Sequence, residues 1–90
     1  MVSYLESPKD EKLNNYAPKA LKTITNAGAK FIARGMPVKT FENGIMLRTV
    51  IAEFDSTEAA EAAFTNHAYK AAFALLGDVK RDVRVIEGLE

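Results

Sequence analysis

Arg34, Arg48, Glu53, His67, Tyr16 and Tyr69 are the residues of this chain that could do chemistry. Arg34 and Glu53 lie inside stretches that read as strands, on positions assigned to one enclosed interior. A charge in such a place is costly unless paired or held against a polar ligand. Arg34 would bind a carboxylate or enolate oxygen, and Glu53 is the general-base candidate. A structural ion pair, or a place on the rim, accounts for both equally simply. His67 is the only histidine, the side-chain type that trades protons near neutral pH. Beside Asn66, between two helical stretches, it also fits a surface or capping role. Tyr69 and Tyr16 each offer a ring to pack under a helix and a hydroxyl to reach a ligand or a backbone group. Arg48 reads as a ligand contact, a solubilising charge or one arm of an interprotomer salt bridge. Lys9, Asp10, Glu11 and Lys12 read as ordinary solvated charges, as do Asp78, Lys80, Arg81 and Asp82.

Whole classes of chemistry are absent. The chain has no cysteine, which excludes disulfides and Cys-based zinc or iron–sulfur sites, and one histidine cannot build a multi-His metal site within a chain. No glycine-rich phosphate loop or nucleophile elbow appears. Neither a metal nor a bound cofactor is expected. Twelve basic and twelve acidic residues cancel, so nothing in the charge favours nucleic acid or an anionic membrane. No run approaches the roughly 20 apolar residues of a membrane span, and the first dozen residues do not resemble a signal peptide. A cytoplasmic protein is the expectation.

The elements that must position these side chains follow from periodicity and punctuation. Val2–Glu6 reads as an opening strand. Ser7-Pro8 has the form of a helix start, and Leu13, Tyr16, Ala17, Ala20, Leu21 and Ile24 repeat at three-four spacing. Pro18 predicts a kink or break near residues 15–17, and Gly28 the end of that helix. Strands follow at Lys30–Arg34, with Phe31 and Ala33 on one side and Ile32 and Arg34 on the other, and at Met46–Phe54. Glu42-Asn43-Gly44 between them has the composition of a tight turn. Asp55 or Ser56 caps the next helix; Asn66 caps another that runs through Leu76 to Gly77. Val83–Glu87 makes the last strand.

This order is βαββαβ over residues 1–90 as one domain: an α+β, ferredoxin-like fold, its four-stranded antiparallel sheet carrying helices on one face. A chain of 90 residues buries only about 60–65% of its unfolded surface. Both faces of the sheet read as apolar, Val50, Ala52 and Phe54 on one and Leu47 and Ile51 on the other. A second copy packed sheet to sheet would hide the spare face.

Arg34-Gly35, the Glu42-Asn43-Gly44 turn, Arg48, Glu53-Phe54-Asp55-Ser56 leading to Glu58-Ala59-Ala60, Tyr69 with Ala71-Ala72, and Val85-Ile86-Glu87-Gly88 form an ordered set. Together they resemble the family named domain of unknown function 1330. That resemblance implies a dimeric α+β barrel built from ferredoxin-like protomers and implies no particular activity. The chain departs from the family pattern at Met36, His67 and Leu76, which points to a reduced or altered pocket.

RNA-recognition modules share the element order, but Arg48–Phe54 carries one aromatic and an acid where those modules stack bases. Two functions are expected to compete. One is a homodimer that binds or transforms a small polar or aromatic molecule without a cofactor. The other is a non-catalytic homodimer for small-molecule binding or assembly.

Overall fold

The computed structural model describes residues 1–89. Its elements run β1 (Val2–Tyr4), α1 (Asp10–Asn26), β2 (Lys30–Gly35), β3 (Thr49–Glu53), α2 (Thr57–Thr65), α3 (His67–Phe73) and β4 (Arg81–Val83). The strands form one sheet in the order β2-β3-β1-β4 with antiparallel neighbours throughout. This is the α+β, ferredoxin-like arrangement expected from the element order.

The helices differ from expectation at their starts and middles. Ser7 does not cap α1. The helix begins at Asp10 after Lys9, which makes no capping bond, and Asp10 and Glu11 supply the negative charge that favours a first turn. Pro18 does not break the helix, which is continuous over 17 residues. Proline leaves the Asn14 carbonyl without its helical partner, but Asn14 is exposed to water. Burial of Tyr16, Ala20 and Ile24 on either side holds the turns together. Ser56 and Asn66 cap α2 and α3 by accepting from the backbone N–H groups of Ala59 and Tyr69 at 3.1 and 2.8 Å. The third helix stops at Phe73, and turn hydrogen bonds carry the chain to Leu76 and to Gly77 at φ 80°.

Three strands are shorter than their apolar patterns, β2 runs one residue further to Gly35, and the last strand is displaced. β4 occupies Arg81–Val83 rather than residues 83–87. The Arg84 N–H still donates to the Met1 carbonyl at 2.9 Å, so pairing continues one residue past the strand. Between β2 and β3 the chain makes an excursion that turns at Phe41–Gly44. There the Gly44 N–H donates to the Phe41 carbonyl at 2.9 Å, and a β-carbon on Gly44 would come within 2.8 Å of the Thr40 side chain.

A register shift between Phe31 and Ala33 changes which residues share a face. Phe31 pairs with Ala52 and Arg34 with Val50, whereas Lys30 pairs with Glu53 and Ala33 with Ile51. Directly paired residues lie on the same side of a sheet. The bulge at Ile32 therefore puts Phe31 and Arg34 together on the side of Val50 and Val2, and leaves Glu53 on the other. Strict alternation, which joined Arg34 to Glu53 on one face, fails at that residue.

The core forms where α1 and α3 meet the sheet, around Tyr4, Tyr16, Ile24, Tyr69 and Leu76, with Phe31, Leu47, Val50 and Phe54 packed against it. Leu47 thus belongs to the helix-covered side. The opposite face carries Ser3, Lys30, Ala33, Thr49, Ile51, Glu53 and Asp82, a mixed surface in which Ile51 is the largest apolar group. Large apolar side chains are also exposed on the excursion, where Val38 is fully exposed and Phe41 77% exposed, and near the end of the chain, at Ile86 and Leu89.

Candidate functional site

One polar cluster is built into this largely apolar core. Burial on the inner stripe of α1 brings Tyr16 under the helix, and the Asn66 cap fixes the first turn of α3 so that Tyr69 points toward it. Their hydroxyl oxygens lie 2.8 Å apart. Arg81 of β4 stands directly opposite Tyr4 of β1, and therefore on the same side of the sheet. Its guanidinium donates from Nη1 to the Tyr16 hydroxyl at 3.3 Å and from Nη2 to the Tyr69 hydroxyl at 3.0 Å. The same guanidinium lies 4.4 Å from the ring centre of Phe73, 5.6 Å from Tyr4 and 5.9 Å from Tyr16. A cation among aromatic faces gains from their quadrupoles, and more so where water is partly excluded.

The electrostatics follow from this enclosure. Burial pushes the Tyr16 hydroxyl well above its ordinary pKa, the neighbouring Tyr69 adds to the rise, and Arg81 opposes it. Burial also works against the Arg81 charge, but its hydrogen bond and electrostatic attraction to Tyr69, and then to Tyr16, more than offset that, leaving its pKa raised. Arg81 makes no ion pair among the described residues. The adjacent Asp82 lies on the other face and pairs with Arg84 at 2.9 Å.

A cleft of about 910 Å³ opens beside the cluster, with Tyr4, Tyr16, Phe31, Val50 and Arg81 in its wall. β1 pairs with β3 only as far as Val50, so the later part of β3 has no neighbour on that side. The cleft passes round the end of β1 to the outer face, where Ile51, Glu53 and residues 84–88 line it. Tyr69 is 3% exposed and sits behind Tyr16. A family model described as "Domain of unknown function (DUF1330)" matches residues 1–89. The chain belongs to that family. No curated protein is significantly similar to it.

The residues singled out in the sequence are dispersed differently from expectation. Arg34, Arg48 and Glu53 all line the cleft, so they do share one cavity, although Arg34 and Glu53 stand on opposite faces of the sheet. Arg34 and Glu53 are both exposed, and the Arg34 guanidinium lies 5.7 Å from the centre of the Phe31 ring rather than against an acid. His67 opens α3, is exposed and takes no part in the cleft. Leu76, where the family pattern differs, is fully buried in the core.

The reading of Arg81 as a solvated charge missed its role. Two signals pointed to it. Val79, Arg81 and Val83 share one parity, which is a strand pattern with a cation at its centre. Two tyrosines on inward stripes also need partners for their hydroxyls, and an arginine is the side chain that can serve both. Among the described residues, no group of three or more His, Asp or Glu side chains could hold a metal ion. No described helix is long and apolar enough to cross a membrane.

Proposed function

We propose that this protein is a homodimeric α+β protein that binds a small molecule, apolar or aromatic in body and polar at one end, in the cleft beside Arg81. The cleft carries the reading: its wall combines aromatic and aliphatic side chains with polar and charged ones, and at its inner end the charged group is Arg81, held by two tyrosine hydroxyls, a make-up that suits a small ligand. Arg34 and Arg48 would meet the ligand where it emerges, and Tyr69 would act through Tyr16 rather than by contact. Binding without turnover is the better-supported form. Proton transfer needs an acid or base within hydrogen-bond reach. Among the described residues, no carboxylate or imidazole is bonded to the tyrosine–arginine cluster, and His67 lies elsewhere.

The homodimer would join outer sheet faces around Ile51, with the apolar side chains of the excursion extending the contact. Its support is the exposure of Met36, Val38, Phe41, Ile45 and Met46 on a chain this small. Two measurements test the proposal. Light scattering coupled to size exclusion should return about twice the 9.9 kDa chain mass. A thermal-shift screen of small aromatic acids, phenols and neutral aromatics should raise the melting temperature with at least one class. A monomer that responds to none of them overturns both parts.

A further inference from the structure

We propose that Arg81 and Tyr16 form a carboxylate-binding site in the cleft, so that the ligand class is a small aromatic or apolar-bodied carboxylate. The inference rests on the cleft being a ligand site, as proposed above, and adds what the ligand must carry.

The argument is a count of donors against acceptors. A guanidinium brings five N–H donors and no acceptor; each tyrosine hydroxyl brings one donor and can accept. Within the cluster two guanidinium N–H groups are spent on the two hydroxyls, and one hydroxyl is spent on the other. Three N–H donors and one O–H donor remain, and none of the carboxylates that line the cleft, Glu53, Asp55, Glu58 and Glu87, is bonded to the cluster. Charge points the same way. Arg81 is half-buried against three aromatic rings, and the ion pair that its neighbourhood does contain is between Asp82 and Arg84. A planar carboxylate supplies what is missing, because it accepts two parallel N–H bonds from a guanidinium fork and neutralises its charge.

Placement completes the case. Arg81 and Tyr16 line the cleft, whereas Tyr69 and Phe73 lie behind them and hold them in position. A ligand with its carboxylate on Arg81 would lay its body along Phe31 and Val50, further along the same wall. Tyr69 is thus a positioning residue. Its hydroxyl fixes one arm of the guanidinium, and the N–H groups not spent on the two tyrosines are left to the ligand.

Benzoate and benzamide are matched probes, equal in shape and different in charge. Isothermal titration of the full chain with each, at pH 7, should show benzoate binding at least about ten-fold tighter, the scale of a charge-assisted hydrogen bond. Arg81→Met should abolish that preference, and Tyr16→Phe should weaken benzoate several-fold and benzamide by less, so that the ratio between them falls. Equal affinity for the two probes in the wild type overturns the carboxylate assignment while leaving the cleft as a ligand site. So does a preference that survives Arg81→Met. Should Arg81→Met fail to fold, the wild-type ratio and the Tyr16→Phe titration decide. Binding of neither probe overturns the assignment together with the reading on which it rests.

Discussion

The hydroxyl oxygens of Tyr16 and Tyr69 lie 2.8 Å apart, tying α1 to α3 across 53 residues of sequence. The neutral form of Tyr16 is favoured in the fold, since burial raises its pKa above the ordinary value of 10.0. A group whose folded pKa exceeds its unfolded one gives its full contribution below the unfolded value and loses it as pH climbs toward the folded one. Stability should therefore be flat from pH 7 to 9 in this respect and fall above about pH 10. Arg81, whose pKa is raised, despite burial, above the ordinary arginine value by its bonds to the two tyrosines, adds nothing to that slope at lower pH. Tyr16→Phe should cost about 1 kcal/mol at pH 8 and show a shallower alkaline fall. Urea midpoints at pH 8 and 10.5 check this. An unchanged alkaline slope in the variant would assign the effect to another group.

Arg34 and Glu53 should behave as strangers. They occupy opposite faces of the sheet, across the bulge at Ile32, and each is exposed. Arg34→Ala and Glu53→Gln should each change stability by less than about 0.5 kcal/mol. The double variant should equal their sum within about 0.5 kcal/mol. A double-mutant cycle returning more than 1 kcal/mol of coupling would restore the ion pair that strand alternation suggested.

Asn66 does more than its counterpart Ser56. Its side-chain carbonyl accepts from the Tyr69 N–H, and its amide donates to the carbonyls of Ala62 and Ala63. The residue thus closes α2 and opens α3 at once. Asn66→Ala should cost about 1–2 kcal/mol and Ser56→Ala about 1 kcal/mol or less. In a domain of this size each kcal/mol lowers the melting temperature by roughly 4–8 °C. Asn66→Asp, which keeps the acceptor and loses the donors, should fall between wild type and Asn66→Ala. Thermal melts at pH 7 rank the three.

Pro18 makes the opposite prediction, a variant more stable than the natural chain. Proline within a helix is about 3 kcal/mol less favourable than alanine, while its stiffness in the unfolded chain returns up to about 1 kcal/mol. Pro18 is exposed inside an unbroken helix. Pro18→Ala should raise the denaturation midpoint by the equivalent of about 1–3 kcal/mol. A fall instead would mean that the proline sets the bend that seats Tyr16.

The sequence carried the fold in its punctuation and apolar spacing. Asn66, Gly28 and the stripe through Tyr16, Ala20 and Ile24 act through local geometry, and local geometry is what periodicity reports. It failed wherever a distant partner decided the outcome. Residues 83–87 alternate like a strand, yet the strand lies at Arg81–Val83, where the register with β1 places it. Arg34 reads as an outer-face charge until the bulge at Ile32 is known, and a bulge is a property of two strands together. The candidate site was legible in part. Tyr69, Arg34, Arg48 and Glu53 stand out in the sequence, whereas Arg81 sits among Asp78, Lys80 and Asp82 and reads as one more solvated loop or helix-face charge. Only the pairing of β4 with β1 turns that arginine inward.

Arg81 ties together distant parts of the chain. It follows Tyr16 by 65 residues and Tyr69 by 12, so the meeting point of α1 and α3 is complete only when β4 is paired on the sheet. The chain contains no tryptophan and three tyrosines, all of them clustered around Arg81. Its intrinsic ultraviolet emission therefore reports on that meeting point directly, with no label required.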